Sequence, residues 1–413
     1  MATISQEYSA QGELFEPQTY LGQGPGYFAV LWKDGSKTFH QTSYPLAGLP
    51  VVVSSVNPAY DTWISQATFL SKNRRAVSLR NVGLLFADLD TYKFEGLQNQ
   101  KPDMLAALFL NYCALEGLPK PSIILFSGRG LQVKWLLEDA IDRASILRWN
   151  DVQKALVHAL EGFGADHAAR DVSRVLRLEK TVNTKSGELV RVVHVEPGDA
   201  SGGVLRYAFE ELEEALLPRY PSLTPQDKEH SVSRPRRTAP VGLTPSALNW
   251  SRLEDIRTLW RLRGGVQEGY RELTLFWSMN FLVMAAPVPP QQFWYEARAL
   301  ASEIYPGEYR ESDLSTVFRK AQEYRAGARV IYGGKMYPPL YTPKNATLAE
   351  VFRITSDEER HLQTIVSQAE KNRRLREKRW AEGIKPRNFL NGERPWEALG
   401  MSRATWYRRG QPR

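Results

Sequence analysis

The chain has 413 residues, 42% hydrophobic and 24% charged, with a single cysteine, Cys113. That is enough for two or three domains with ample core, and one cysteine excludes an internal disulfide framework. The net charge of +8 is carried by the tail: Lys371 to Arg413 holds 13 Lys/Arg against 4 Asp/Glu, and the rest is about neutral, so a nucleic-acid partner is expected at the C-terminus.

The N-terminus has neither a basic start nor an apolar core, so no signal peptide is expected and the chain reads as cytoplasmic, without a membrane partner. From Tyr27, alternating apolar residues flank Asp34-Gly35 and predict a tight hairpin. PVVVSSV from Pro50 reads as a short strand, and SKNRRAVSLRN as a loop. That loop feeds LLFADLD, Leu84 to Asp90, an apolar strand ending in two carboxylates. Alternation puts Asp88 and Asp90 on one face, and two like charges so close are best tolerated around a cation. Pro102 to Leu118 reads as an amphipathic helix with Gly117 near its end.

Ser122 to Glu138 reads as strand, glycine turn, strand; Asp142 is expected to cap a long helix. A second short helix is expected after Asp166, then mostly strand and turn to Glu196. Interleaved helices and hairpins without regular crossovers argue for an α+β catalytic domain, with an antiparallel or mixed sheet, over residues 1–217. Residues 218–245 carry repeated proline and read as a linker. Residues 246–335 read as a helical bundle. Residues 336–413 read as a basic helical tail broken at Thr355/Ser356, with a helix-turn-helix grammar at its end. There Ala398 and Leu399 point inward, Gly400 makes the turn, and Ser402 caps a helix carrying Arg403, Arg408 and Arg409.

Three stretches carry chemistry. The first is Asp88-x-Asp90. The second is the turn Ser127 to Gly130, whose glycines let a phosphate approach backbone N–H groups, with Arg129 and Lys134 as a basic wall. The third runs from Asp166 through Asp171, Arg174 and Arg177 to Asn183 and Lys185. One of its two acids must join Asp88 and Asp90 if two metals are to be held. The other is left as a helix cap. His167 and His194 are weaker candidates as ligands or bases.

Taken together, FADLD, SGRGLQVKW and ADHAARDVSRVLRLEKTVNTK resemble the three motifs of the archaeo-eukaryotic primase superfamily, most of all the RepB-type replication primases of plasmids and mobile elements. The resemblance covers roughly residues 20–200. It implies a template-dependent nucleotidyltransferase that makes primers on single-stranded DNA, with nucleoside triphosphates as substrates and Mg²⁺ or Mn²⁺ at a two-metal site. It implies Asp88, Asp90 and Asp166 as catalytic metal ligands, with Asp171 as the alternative third acid. Ser127, Arg129, Gln132, Lys134, Arg177, Asn183 and Lys185 would bind the nucleotide, and origin DNA and a replicative helicase are implied partners. The chain departs from the pattern twice. Gln132 stands where the family usually has His, and Glu179-Lys180 stand where many members have Pro-Gly. The alternative is a non-catalytic initiator or regulator that binds DNA through its C-terminus.

Overall fold

A computed structural model describes residues 16–22, 24–198, 203–219, 244–289, 292–305, 309, 311–332, 334–382, 396 and 399–409. The chain divides into two compact units, Met1–Thr342 and Pro343–Arg413. The expected linker at 218–245 falls almost wholly outside the described residues.

The first unit is α+β, as the alternation predicts. Before the linker its strands are β1 (Tyr27–Lys33), β2 (Phe39–Pro45), β3 (Asp61–Ser65), β4 (Thr68–Phe69), β5 (Leu79–Leu89), β6 (Ile123–Phe126), β7 (Leu131–Asp142), β8 (Val175–Arg177), β9 (Val182–Asn183), β10 (Glu188–Leu189), β11 (Arg191–Val195) and β12 (Arg206–Tyr207). Among the described residues ten of these make one sheet in the order β11-β6-β7-β5-β4-β1-β3-β8, with β2 on β1 and β12 on β7. Within it only β12 runs parallel to its neighbour. The β9–β10 pair stands apart.

The apolar run of β5 is the centre of this sheet because it is apolar on both faces: Leu84, Leu85, Phe86, Ala87 and Leu89 are all at or below 1% exposure. The helix at Pro102–Glu116 forms as its proline and glycine predict, with Gly117 in the left-handed conformation. Its Phe109 meets Trp135 of β7 edge-on. A second helix, Ile146–Ala159, follows a short helical turn capped by Asp142, which accepts from Ser145 N. It covers the open edge of β5. Trp149 Nε1 donates to Leu84 O, and Gln153 both accepts from Phe86 N and donates to Phe86 O.

Three local expectations are corrected. PVVVSSV is not a strand: Leu49–Ser54 is a helix, with Pro50 in its first turn. Proline presets helical φ there, and only Leu49 of the segment is buried, so valine's strand preference has no sheet to satisfy. The hairpin is real, but its loop spans Asp34 to Thr38. The left-handed residue is Lys37 (φ 62°), and Asp34 Oδ1 accepts from Ser36 N and Thr38 N. No helix follows Asp166. Asp166 accepts from Ala168 N, and Asp171 from Ser173 N and Oγ, so side chains satisfy the backbone in place of a helix.

Beyond the linker lie four helices, Pro245–Leu262, Arg271–Ala285, Phe293–Ile304 and Glu311–Arg325, and then a hairpin, Val330–Tyr332 with Lys335–Tyr337, that periodicity did not reveal. The bundle is fastened to the sheet domain through Glu296, whose two carboxylate oxygens accept from Ala76 N and Val77 N, each at 2.9 Å. Burial pushes the Glu296 carboxyl up to about 7. Its folded value therefore lies above its unfolded one. The folded state holds that proton more tightly, so stability is greatest below the unfolded value and is lost as pH rises towards 7. Thermal unfolding followed from pH 5 to pH 8 should show a decline of up to about 3 kcal/mol assignable to this group, absent from Glu296→Gln.

The second unit contains helices at Asn345–Val351, Ser356–Glu359, Gln368–Ala381 and Arg403–Arg408. Thr355 makes a capping box with Glu358, but that helix is one turn long and the charged helix starts afresh at Ser367, whose hydroxyl accepts from Glu370 N. Ser402 caps the last helix as expected, accepting from Thr405 N. Ala398, and so most of the first helix of the expected helix-turn-helix, lies outside the described residues. Among the described residues no helix is long and apolar enough to cross a membrane.

Candidate active site

The site is built on the C-terminal end of β5. Asp88 sits opposite Gln132 of β7 in the sheet register. On the other edge of β5, a returning segment pairs as a short antiparallel strand: Leu89 bridges Ala165, Asp166 N donates to Asp88 O at 2.8 Å, and Asp90 N donates to Gly164 O at 2.8 Å. That register sets Asp166 directly across from Asp88. Cross-strand partners share a face, so Asp88, Asp90, Asp166 and Gln132 all face one side, and Leu89 packs in the opposite layer with no exposure. Asp88 is pushed up to about 6 by burial first, then by the charges of Asp90 and Asp166, with Arg174 and Arg177 opposing.

Asp171 does not join this group. Its carboxylate is spent on Ser173 and on Arg174, whose Nη2 lies 3.0 Å away. Of the two acids left open by the sequence, Asp166 is therefore the one that the fold sets beside the pair.

The turn after β6 packs directly on the acid strand. Ser127 N donates to Gly130 O and Ser127 Oγ accepts from Gly130 N. Gly128 has φ 93°, and a Cβ there would lie 2.5 Å from Asn183 Cβ. A Cβ on Gly130 would lie 2.1 Å from Leu89 O. The glycines thus serve close backbone approach. Arg129 extends from the tip, its guanidinium 4.3 Å over the Tyr92 ring.

The expected binding residues divide. Gln132 is 3% exposed, and its Oε1 is buried with no hydrogen-bond partner, an unsatisfied acceptor in the strand position beside Asp88. Lys185 is exposed and forms no ion pair among the described residues. Asn183 is not free to read a sugar or base: Nδ2 donates to Ser127 O at 2.9 Å and Oδ1 accepts from Lys185 N, so it clamps the third motif onto the second. Arg177 is paired to Asp61 at 2.6 Å and lies over Trp63. His167 and His194 pair with Glu161 and Glu196.

Lys134 is the clearest correction. It is wholly buried and ion-paired with Glu16, beneath the ring of Tyr20 at 4.3 Å. Burial lowers the lysine and raises the glutamate, and each partner holds the other charged. Glu16 N also donates to Glu179, which burial, and then Glu16, push up to about 7. No phosphate can reach such a lysine. Lys134→Met should cost about 3 kcal/mol in thermal or denaturant unfolding, because it strands Glu16. It should leave the KM for nucleotide unchanged. A raised KM at normal stability would return Lys134 to the phosphate wall.

The Glu179-Lys180 departure also has a structural reading. Lys180 adopts φ 63°, a left-handed conformation that glycine takes more easily. The backbone thus turns as a glycine would, and the freed side chain at 179 becomes part of the buried cluster. Sequence reasoning missed Asp61, which accepts from Arg177 and from Thr184 N and Oγ1. Burial opposes its ionisation, but the Thr184 and Arg177 bonds outweigh that and hold its pKa below the usual range. The Asp61-x-Trp63 alternation was the available signal.

An all-oxygen donor set suits a hard divalent cation such as Mg²⁺ or Mn²⁺, and the crowding at Asp88 and the orphaned Gln132 oxygen fit one. The arrangement is not closed, however. Lys93 Nζ holds Asp90 at 2.5 Å. Among the described residues no three His, Cys, Asp or Glu side chains are grouped to share an ion.

No family model matches the chain. It is similar to a curated replication protein of Clostridium perfringens, 27% identical over 343 residues, which are 82% of this chain and 75% of that protein. Similar solved structures include the AEP domain of the cyanophage S-2L primase-polymerase, at 19% identity and a TM-score of 0.34, covering 47% of this chain and 89% of that one. The primase RepB′ is similar at 16% identity and a TM-score of 0.32, over 72% and 90% of the two chains. Its catalytic domain in complex with initiator DNA is similar at 14% and 0.31, over 51% and 93%. The chain is thus similar, over most of its length, to a curated replication protein.

Proposed function

We propose that this protein is a DNA-dependent primase, a nucleotidyltransferase that joins nucleoside triphosphates on a single-stranded template during plasmid or mobile-element replication. The observation that carries this reading is the backbone pairing of Asp166 onto Asp88, beside a glycine turn pressed against the same strand. Asp88, Asp90 and Asp166 would hold Mg²⁺ or Mn²⁺, which when bound would supply positive charge for the attacking 3′-hydroxyl and the leaving pyrophosphate. Arg129 and Lys185 offer cations to the triphosphate, Arg129 swinging from its rest on Tyr92. Gln132 offers an uncharged hydrogen bond where the family pattern has His. Asn183 holds the turn in place. Asp90 leaves Lys93 to complete the acid set.

The basic second unit supplies further DNA contacts. Its long helix carries Trp380 at 63% exposure among Arg and Lys, a combination suited to stacking and phosphate contact. Origin DNA and a helicase remain the partners proposed for it. One observation favours the non-catalytic initiator instead: the carboxylates are not grouped around one point. Incubation with single-stranded DNA, labelled nucleotides and Mg²⁺ or Mn²⁺ decides between them. Oligomers made without a primer, and lost in Asp88→Ala, support the primase; no product under any condition supports the initiator.

A further inference from the structure

Past the acids, one face of the sheet is built unlike a core. In the register of β8, β3, β1 and β2, Arg177 lies opposite Trp63, and Lys33 lies opposite both Asp61 and Phe39. Cross-strand partners share a face, so Arg177, Trp63, Asp61, Lys33 and Phe39 form one strip. The rings of Phe39 and Trp63 stack with centroids 5.4 Å apart and planes at 20°. Cations flank them: the Arg177 guanidinium lies 4.9 Å over Trp63 and the Lys33 ammonium 4.6 Å over Phe39. Phe39 is 57% exposed, which a ring placed for packing would not be. The one acid of the strip, Asp61, is neutralised by Arg177 and Thr184. The strip starts beside the glycine turn that packs on the acid strand, since Asp61 accepts from Thr184 and the neighbouring Asn183 donates to Ser127 O.

Stacked aromatic rings between cations match the chemistry of single-stranded nucleic acid, which presents flat bases on a polyanionic backbone. Lys33 is half-buried and forms no ion pair among the described residues; a cation on a ring is held weakly and a stacked base outweighs it, so Lys33 is available to move from Phe39 to a phosphate. We propose that the Arg177–Trp63–Phe39–Lys33 strip is a stacking platform for the single-stranded template next to the three acids. Bases stack on the ring pair, Lys33 takes the backbone, and Arg177, held on Asp61, braces Trp63 from behind. The assignment of the strand as template rests on the primase reading.

Two measurements on the full chain test it. Single-stranded DNA carrying 5-iodouracil is cross-linked to wild-type and Asp88→Asn proteins, and the adducts are mapped by mass spectrometry. Adducts at Phe39 or Trp63 in both proteins are expected; adducts confined to residues 343–413 would overturn the platform. In primer synthesis, Phe39→Ala should raise the template concentration for half-maximal rate about tenfold. The maximum rate and the KM for nucleotide should not change, and Phe39→Tyr should restore the template dependence. An unchanged template dependence overturns the platform, and so does a change in nucleotide KM alone, which would give the strip to the nucleotide. If the wild-type chain makes no primer, the primase reading fails, and the cross-link map still decides whether the strip binds DNA.

Discussion

Replacing Asp88 by Asn should abolish primer synthesis and yet leave a protein at least as stable as the wild type. Loss of activity by about a thousandfold or more is expected if Asp88 holds the metals that stabilise the transferring phosphoryl group. The stability result follows from a different term. Asp88 is pushed to about 6 by burial, then by Asp90 and Asp166, so its charge opposes folding when no cation is bound. Asn keeps the shape and removes the charge, and a gain of about 1–2 kcal/mol at pH 7 is expected in denaturant unfolding. Mg²⁺ or Mn²⁺ should raise the melting temperature of the wild type and not of the variant. A variant that is both inactive and unstable would instead make Asp88 a structural residue.

Gly130→Ala should be the most damaging single methyl in the catalytic unit. Its Cβ would lie 2.1 Å from Leu89 O, a backbone atom that cannot rotate away. Either β5 or the turn must shift. A loss of about 3–5 kcal/mol is expected in thermal or denaturant unfolding, at the upper end of single-site effects. Because Leu89 stands between Asp88 and Asp90, a shift of β5 moves the acids, and a shift of the turn moves Arg129 away from them. Activity should therefore fall even at temperatures where the variant remains folded. By contrast, a Cβ on Gly35 or Gly96 would meet nothing within 4 Å. Gly35 lacks a positive φ as well, so Gly35→Ala is a control for glycine replacement as such.

Much of the site was legible because it is local. Alternation alone puts Asp88 and Asp90 on one face, a glycine turn between two apolar runs is recognisable by composition, and Pro102 and Gly117 mark a helix whatever surrounds it. The short segments misread were those whose preferences are weak. Leu49–Ser54 is rich in valine, but it has no neighbouring strand and begins with proline. The stretch after Asp166 has helical spacing, but its Asp and Ser side chains bond the backbone first.

The sequence by itself determined the acid pair, the turn and the order of the three motifs, since each needs only residues within a few positions of one another. Tertiary structure alone decided which distant residues complete them. It set Asp166, and not Asp171, across from Asp88 by pairing Ala165 with Leu89, and engaged the Asn183 amide on Ser127 O. It also withdrew Lys134 from the nucleotide by laying Glu16 over it, 118 positions away in the chain. A lysine on a strand reads the same whether its face meets solvent or a buried carboxylate. Only the packing of the N-terminal segment settles which, because the cost of burying an ammonium there is offset only when its counter-charge is buried with it.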